Sequence, residues 1–409
     1  MAKTIRFNAF QMNTVGHQSP GLWTHARDRS HRYTDPAHWT ELARLLEEGL
    51  FDAVFLADVL GVYDVYRGSL DAALEHGVQV PLNDPLALVP IMAQATTHLG
   101  FGVTCALTYE HPYTFARRMS TLDHLTGGRI GWNIVTGYLD SAARNLGMQQ
   151  QLGHDERYDL ADEYLDVVYK LWEKSWDDDA VVNDKARGIY ADPAKVHPIN
   201  HAGRHYQVPG IHLCEPSPQR TPLLYQAGTS PRGTRFAARH AEATFVSGPS
   251  KTVVKRYADD LRAAVRQSGR DGDALLIYAQ ALVITGATEA EARAKHADYL
   301  RHVNIEAALV LLSGWTGVDF SRYPLDATID YIDSPAGRSA LASFSQADPE
   351  RKWTVREAAA YIGLGGRGPV LVGDARQVAD QLESWLDETG IDGFNLAFAV
   401  AHDSMADVV

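Results

Sequence analysis

The residues best suited to chemistry lie in one short segment, Gln226-Ala227-Gly228-Thr229-Ser230-Pro231-Arg232-Gly233. A strand-like run ends at Gly228, and Ser230 stands at a helix N-cap position. Pro231 fits the first helical turn, where its missing N–H is no loss. Free backbone N–H groups and the Ser230 hydroxyl then converge on one point, and the helix dipole adds partial positive charge there. A phosphate satisfies that arrangement; plain helix capping is the alternative for the same residues. Four polar residues fall on other strand-like runs: Asp58 ends the second, Thr104 lies in the third, Asn133 lies in the fourth and Thr136 ends it. Interior polar groups need partners, so these four are either satisfied core residues or the wall of a ring-binding site. An isoalloxazine, whose edge both donates and accepts, is such a ring. His154 and Tyr158 are four residues apart at the start of a predicted helix, hence on one face. They suit a phosphate or a ribityl chain, or else a simple hydrogen bond at the helix start.

Other motifs carry less. Gly363, Gly365 and Gly368 match G-x-G-x-x-G, but a dinucleotide fingerprint follows a strand and opens a helix, whereas this one precedes a strand. A flexible hinge is the expectation. His197, His201 and His205 have the spacing of ligands on one helix face, yet Pro198 and Gly203 interrupt that helix, so a turn-rich excursion is expected and no metal site. Asp177-Asp178-Asp179 reads as a solvated turn. Neither H-E-x-x-H nor G-x-S-x-G occurs, which removes support for the common zinc-protease and serine-hydrolase chemistries.

The elements that position these residues alternate between strand and helix periodicity. Strand-like runs begin at Ile5, Phe51, Phe101, Arg129, Pro222, Ala243, Leu275 and Gly393. A further short run is Pro369–Gly373. Helical spacing covers Pro36–Gly49, Pro85–His98, Thr114–Leu125, Asp155–Glu173, a run from Ser230, Val253–Ser268, Ala287–Leu300 and Ala375–Thr389, with Asp374 as N-cap of the last. This alternation predicts an α/β fold, a (β/α)8 TIM barrel in one domain over residues 1–409, with a doubly wound sheet as the competing architecture. Two long insertions interrupt it, 174–221 between strands 4 and 5 and 301–367 between strands 7 and 8.

Composition narrows the function classes. The 409 residues include 38 Lys plus Arg against 51 Asp plus Glu, a net charge of −13 that argues against general nucleic-acid binding or an anionic membrane surface. Cys105 and Cys214 cannot build a disulfide framework or a four-cysteine zinc site, and they fit a reducing cytosol. No apolar run reaches the length of a membrane span, and Met1–Phe7 enters a strand-like run directly with no apolar signal core, so a cytoplasmic enzyme is expected.

Several stretches are similar to the bacterial luciferase-like flavin monooxygenases: FDAVFLADV (Phe51–Val59), ARRMSTLDHLTGGRIGWNIVT (Ala116–Thr136), HDERYDLADEYL (His154–Leu165), QAGTSPRG (Gln226–Gly233) and LSGWTGVDF (Leu312–Phe320). The chain resembles the branch that contains nitrilotriacetate, dibenzothiophene-sulfone and dimethyl-sulfide monooxygenases. GVYDVYRGS (Gly61–Ser69), KVHPINHAGRHYQVPGIHLCEPSPQRTP (Lys195–Pro222) and RKWTVREA (Arg351–Ala358) look most like the large subunits of its dimethyl-sulfide-oxidising members.

The resemblance implies that Asp58, Thr104, His154, Tyr158 and Ser230 contact FMN, to which the residue pattern adds Asn133 and Gly228. It also implies reduced FMN supplied by a separate NAD(P)H-dependent flavin reductase, with O2 as co-substrate. The flavin then carries the reaction, and no amino-acid nucleophile is expected. For a small sulfide, oxidation beside sulfur gives a thiol and an aldehyde. Phe10, His17, Trp23 and Trp132 are pocket candidates, and Arg301–Arg367, with Trp315, Phe320 and Tyr323, is the expected lid. A dimer or a dimer of dimers is expected by analogy, as is a shortened closing helix after GFNLAFAV. Rival readings are a sulfone or aminopolycarboxylate substrate, a deazaflavin-dependent dehydrogenase, and a flavin-storage protein.

Overall fold

The computed structural model describes residues 4–329, 341–345 and 351–409. The expected lid is therefore described only in part, and residues 1–3 at the start of the chain lie outside the described residues.

The buried apolar runs form strands that pair in parallel. In chain order these are β1 (Arg6–Met12), β2 (Ala53–Ala57), β3 (Gly100–Ala106), β4 (Ile130–Val135), β5 (Leu223–Ala227), β6 (Ala243–Val246) and β7 (Leu276–Gly286), followed by β8 (Val370–Asp374) and β9 (Gly393–Ala397). β1 to β7 and β9 close into a barrel: Ala243 of β6 stands against Leu276 of β7, Tyr278 of β7 against Gly393, and Gly393 against Arg6 of β1. The doubly wound alternative is thereby removed, since an open sheet would lack the β6–β7 pairing. β7 is eleven residues long. Its first half holds β9 through Leu282, and its second half holds β8 from Leu282–Val370 to Gly286–Asp374. β8 is thus a ninth strand outside the ring.

Most of the longer helices begin where a side chain caps the first turn. α1 (Pro36–Glu48), α2 (Pro112–Thr126), α3 (His154–Tyr169), α4 (Pro231–His240), α5 (Lys251–Gln267) and α6 (Glu289–Leu300) cover the barrel with α9 (Ala375–Thr389); α7 (Ile305–Thr316) and α8 (Val355–Ile362) lie between α6 and β8 in the chain. A short α10 (Asp403–Val408) follows β9. Asp374 caps α9 as expected, accepting from the Gln377 N–H while the Gln377 side chain accepts from the Asp374 N–H. Such caps contribute about 1 kcal/mol each. One expectation fails: Pro85–His98 is not a single helix but a 3-10 turn, Pro85–Leu88, followed by the short helix Val89–Gln94. Pro90 explains the break, because its ring cannot continue the hydrogen-bond ladder of a preceding turn. No helix among the described residues is long and apolar enough to cross a membrane.

Two apolar layers follow. Outside the strands, Phe115 of α2 packs on Trp132 at 4.4 Å between ring centroids, within the main core. Inside the ring, Phe10, Phe55, Tyr225 and Tyr278 form a plug, with the Phe10–Phe55 centroids 5.7 Å apart and Phe55–Tyr225 5.4 Å apart. Gly131 makes room for that plug, since a Cβ there would stand 2.7 Å from the Tyr225 ring. A separate core joins α7 and α8 to Tyr63, Tyr66 and Trp353. α7 is buried on nearly all sides, as a helix enclosed by other elements must be.

Candidate active site

Above the aromatic plug, at the C-terminal ends of the strands, lies a cavity of about 340 Å³, within the size range of small-molecule sites. Phe10, Phe55 and Phe245 line its floor. All seven residues anticipated as cofactor ligands line it: Asp58, Thr104 and Asn133 on the β2–β4 side, and His154, Tyr158, Gly228 and Ser230 on the other. Thr136 lines it too.

The Ser230 turn is built as its sequence dictates. Ser230 is extended (φ −70°, ψ 154°), its Oγ accepts from the Gly233 N–H at 3.1 Å, and Pro231 opens α4. His154 Nε2 lies 3.2 Å from Ser230 Oγ, while its Nδ1 faces the Asp155 carboxylate at 2.7 Å. The Asp155 carboxylate thereby orients the ring. The His154 hydrogen bond in turn holds the Asp155 carboxyl below its usual range. Tyr158 accepts from Gln226 Nε2 at 3.3 Å, and burial raises its hydroxyl, keeping it a neutral donor. Arg232 braces it from outside, 5.4 Å above the ring and paired with Asp162 at 2.7 Å. The glycines leave the turn open: a Cβ on Gly233 would stand 2.8 Å from Tyr158 Oη, and one on Gly228 would stand 2.8 Å from Gln226 Nε2.

On the opposite wall, Asn133 Nδ2 donates to Thr104 Oγ1 at 2.9 Å. Among the described residues, the other half of that amide, Asn133 Oδ1, has no partner although it is buried, and neither does Arg157 Nε, nor Gln226 Oε1 behind the wall. Asp58 meets no cationic partner among the described residues either. Burial, with the nearby Asp84 charge adding to it, pushes its carboxyl up to about 7.

Not every candidate meets here. Trp132 is buried on the outer face of β4, against Phe115 and Tyr164, with its Nε1 donating to Cys105 O at 3.1 Å. Successive strand residues face opposite sides, so a β4 that points Asn133 inward must point Trp132 outward. Trp23 is 41% exposed and anchored by an Nε1 hydrogen bond to His76 O at 2.9 Å, on a different surface. His17 packs on Phe10 at 4.4 Å and Gln18, outside the lining; burial lowers it to about 3, so it is a neutral packing group. Phe10 and Trp315 do line the cavity, whereas Phe320 is buried in the α7–α8 core and Tyr323 is 40% exposed.

The weaker motifs resolve structurally. Gly363–Gly368 is a packed, buried turn and not a flexible hinge, because Gln280 Nε2 donates to Gly365 O at 2.7 Å and Gly365 N–H donates to Ser19 Oγ at 3.1 Å. The three spaced histidines diverge: His197 meets Asp177 at 3.2 Å, His201 meets Glu163 at 3.3 Å, and the His205 backbone N–H also goes to Glu163. Asp178 and Asp179 are exposed but paired with Arg220 and Lys195. Away from the cavity, His25, Asp298 and His302 place their ligand atoms within 4.8 Å of one another, with His25 Nε2 hydrogen-bonded to Asp298 at 3.0 Å and His302 Nδ1 to Thr24 at 3.0 Å. Reading by sequence missed Arg157, Tyr138, Gln280 and Arg367, all of which line the cavity. Gln226 stands behind that lining, since Tyr225 beside it points into the barrel and successive strand residues face opposite sides.

Comparison with known proteins agrees with this architecture. The chain is 51% identical over 409 residues to the dimethyl-sulfide monooxygenase of Hyphomicrobium sulfonivorans, covering 100% of this chain and 85% of that one. It is 49% identical over 409 residues to the long-chain alkane monooxygenase of Geobacillus thermodenitrificans, covering 100% and 89%. A crystal structure of a long-chain alkane monooxygenase superposes with a TM-score of 0.91 at 49% identity, over 100% of this chain and 89% of that one. A riboflavin lyase crystallised with modified FMN and riboflavin does so with a TM-score of 0.91 at 34% identity, over 99% and 89%. The luciferase-like monooxygenase family model matches residues 16–393. This barrel, with its polar cavity at the strand ends, belongs to the luciferase-like monooxygenase family.

Proposed function

We propose that this monooxygenase binds reduced FMN, delivered by a separate NAD(P)H-dependent flavin reductase, and uses O2 to oxidise a small organosulfur compound. Dimethyl sulfide or a related alkyl sulfide is the preferred substrate, giving a thiol and an aldehyde. The observation that carries the FMN reading is that Asn133 and Arg157, which line one cavity with the open Ser230 turn, each keep a buried polar atom, Oδ1 and Nε, that no described residue satisfies. Buried polar atoms are rarely left unpaired without reason, and FMN offers a phosphate, hydroxyls and a donor–acceptor ring edge.

In this reading, Ser230, His154, Tyr158 and the N–H groups opening α4 hold the phosphate, and Gly228 and Gly233 leave it space. Thr104, Asn133 and Asp58 orient the ring edge, with Asp58 able to donate while protonated. Bound reduced FMN supplies the activation of O2. Phe10, Phe55, Phe245 and Trp315 give the cavity apolar walls that exclude water and receive an apolar substrate. The part of Arg301–Arg367 that carries Trp315 is the cover of that space.

The test supplies reduced FMN anaerobically, admits O2, and assays thiol and aldehyde with dimethyl sulfide present. Stoichiometric, substrate-dependent thiol is expected; tight flavin binding with no product from any sulfide would overturn the reading. A second reading, oxidation of an alkane, is favoured by the 49% identity to the alkane enzyme, and it predicts an alcohol when a long-chain alkane replaces dimethyl sulfide in the assay.

A further inference from the structure

Arg367 reaches the cavity from the turn before β8. That turn is fixed: Gly365 and Gly366 have φ of +87° and +75°, and a Cβ on Gly366 would run into the Gln18 and Gln280 amides. Gln280 Nε2, donating to both Gly365 O at 2.7 Å and Gln18 Oε1 at 3.1 Å, ties the turn to β7. The Arg367 guanidinium lies 5.5 Å from the centre of the Trp315 ring, itself part of the cavity wall. The titratable groups around it are three phenols, Tyr257, Tyr138 and Tyr63, which are neutral at ordinary pH.

Among the described residues, no carboxylate pairs with Arg367 and no acceptor hydrogen-bonds its guanidinium. Arg157, on the same cavity wall, likewise meets no carboxylate among the described residues but donates to the Gly137 carbonyl; three other arginines are paired. Arg262 meets Asp392 at 2.6 Å, Arg232 meets Asp162 at 2.7 Å, and Arg129 donates to the carbonyls of Leu99, Ala93 and Thr126. Arg367 is half-buried; a guanidinium drawn partly out of water without a counter-charge is costly, and its planar fork is matched to a carboxylate or phosphate. Asp58, the one acidic side chain among the described lining residues, makes no ion pair with it.

We propose that Arg367 forms an oxyanion subsite within the cavity, holding either the flavin 5′-phosphate or a carboxylate or sulfonate carried by the sulfide substrate. The inference rests on the flavin-monooxygenase reading above and deepens it, because the second source would make the natural substrate an acidic sulfide. Trp315 holds the guanidinium plane by its ring face, and the pinned glycine turn fixes where the fork points.

The experiment uses the full chain and its Arg367→Met and Arg367→Lys variants. Dissociation constants for oxidised FMN and for riboflavin come from fluorescence quenching, and kcat/KM is compared for 3-(methylsulfanyl)propanoate and dimethyl sulfide. If the phosphate is the anion, Arg367→Met lowers the ratio of FMN to riboflavin affinity by about 10- to 100-fold. If the substrate carries it, the flavin ratio holds and the propanoate-to-dimethyl-sulfide ratio falls by a similar factor. Arg367→Lys keeps the charge but not the fork, and shifts the same ratio by less; it also decides the matter if the Met variant does not fold. Both ratios unmoved in either variant would overturn the subsite while leaving the flavin reading intact. A wild-type chain that binds neither flavin would overturn both.

Discussion

At the N-terminal end of the barrel, Asp392 accepts from Arg262 at 2.6 Å and from the Ile277 N–H at 2.8 Å. Asp52 there accepts from the Phe7 N–H at 2.8 Å and faces Arg6 at 3.2 Å. Glu47 takes the N–H groups of Thr97, His98 and Leu99, and those bonds hold its carboxyl below the usual range. At the C-terminal end, Asn133 Oδ1, Gln226 Oε1 and Arg157 Nε lack partners among the described residues, and Asp58 and Arg367 share one cavity without meeting. The same residue types thus close one end with their own hydrogen bonds and leave the other open. Stability is concentrated where polar groups are satisfied, and recognition where they are not.

Breaking the closed end gives the largest effect. Asp392→Ala strands the Arg262 guanidinium, whose side chain is only 13% exposed, and should destabilise the fold by about 3–5 kcal/mol in urea unfolding. Flavin affinity of the folded fraction should barely change, because the pair lies at the opposite end of the strands.

At the open end, removing the Asp58 charge should do the reverse and stabilise the flavin-free protein. The folded pKa, about 7, is raised above the unfolded value, so the neutral form is the one the fold favours. Between roughly pH 4 and 7 the folded state binds more protons than the unfolded state, and wild-type stability falls as pH rises. The gain from Asp58→Asn is therefore full above about pH 7 and gone below about pH 4, as thermal melts across that range will show. A constant gain at every pH would contradict the assignment.

Smaller effects sharpen the contrast within the cavity. Ser230→Ala removes a hydroxyl from the phosphate cradle and should weaken FMN binding by about 10- to 100-fold, measured by fluorescence quenching, with riboflavin affected far less. The lost N-cap also costs about 1 kcal/mol of stability. Thr104→Val deletes the acceptor for Asn133 Nδ2 and should cost about 1 kcal/mol in the flavin-free chain.

Much of the barrel was legible because the strand runs are short, apolar and bounded by turn residues. The Ser230 turn was legible because its capping chemistry is local. What depended on distant pairing was not. β8 reads as a strand, but only the eleven-residue length of β7 shows where it docks. The Pro85–His98 run has helical periodicity, yet Pro90 divides it. Aromatic identity alone suggested Trp23 and Trp132 for the pocket, although alternation along β4 already opposed Trp132 to Asn133. Arg367 escaped notice because a single arginine after glycines has no local signature; only the folded turn brings it to Trp315.

A crystal structure of the chain with FMN tests the central claim most directly. The phosphate is expected within hydrogen-bond distance of Ser230 Oγ and His154 Nε2, with Asn133 Oδ1 and Arg157 Nε gaining partners from the cofactor. A phosphate bound away from the Ser230 turn, or a ring lodged outside the cavity with those atoms still unpaired, would contradict it.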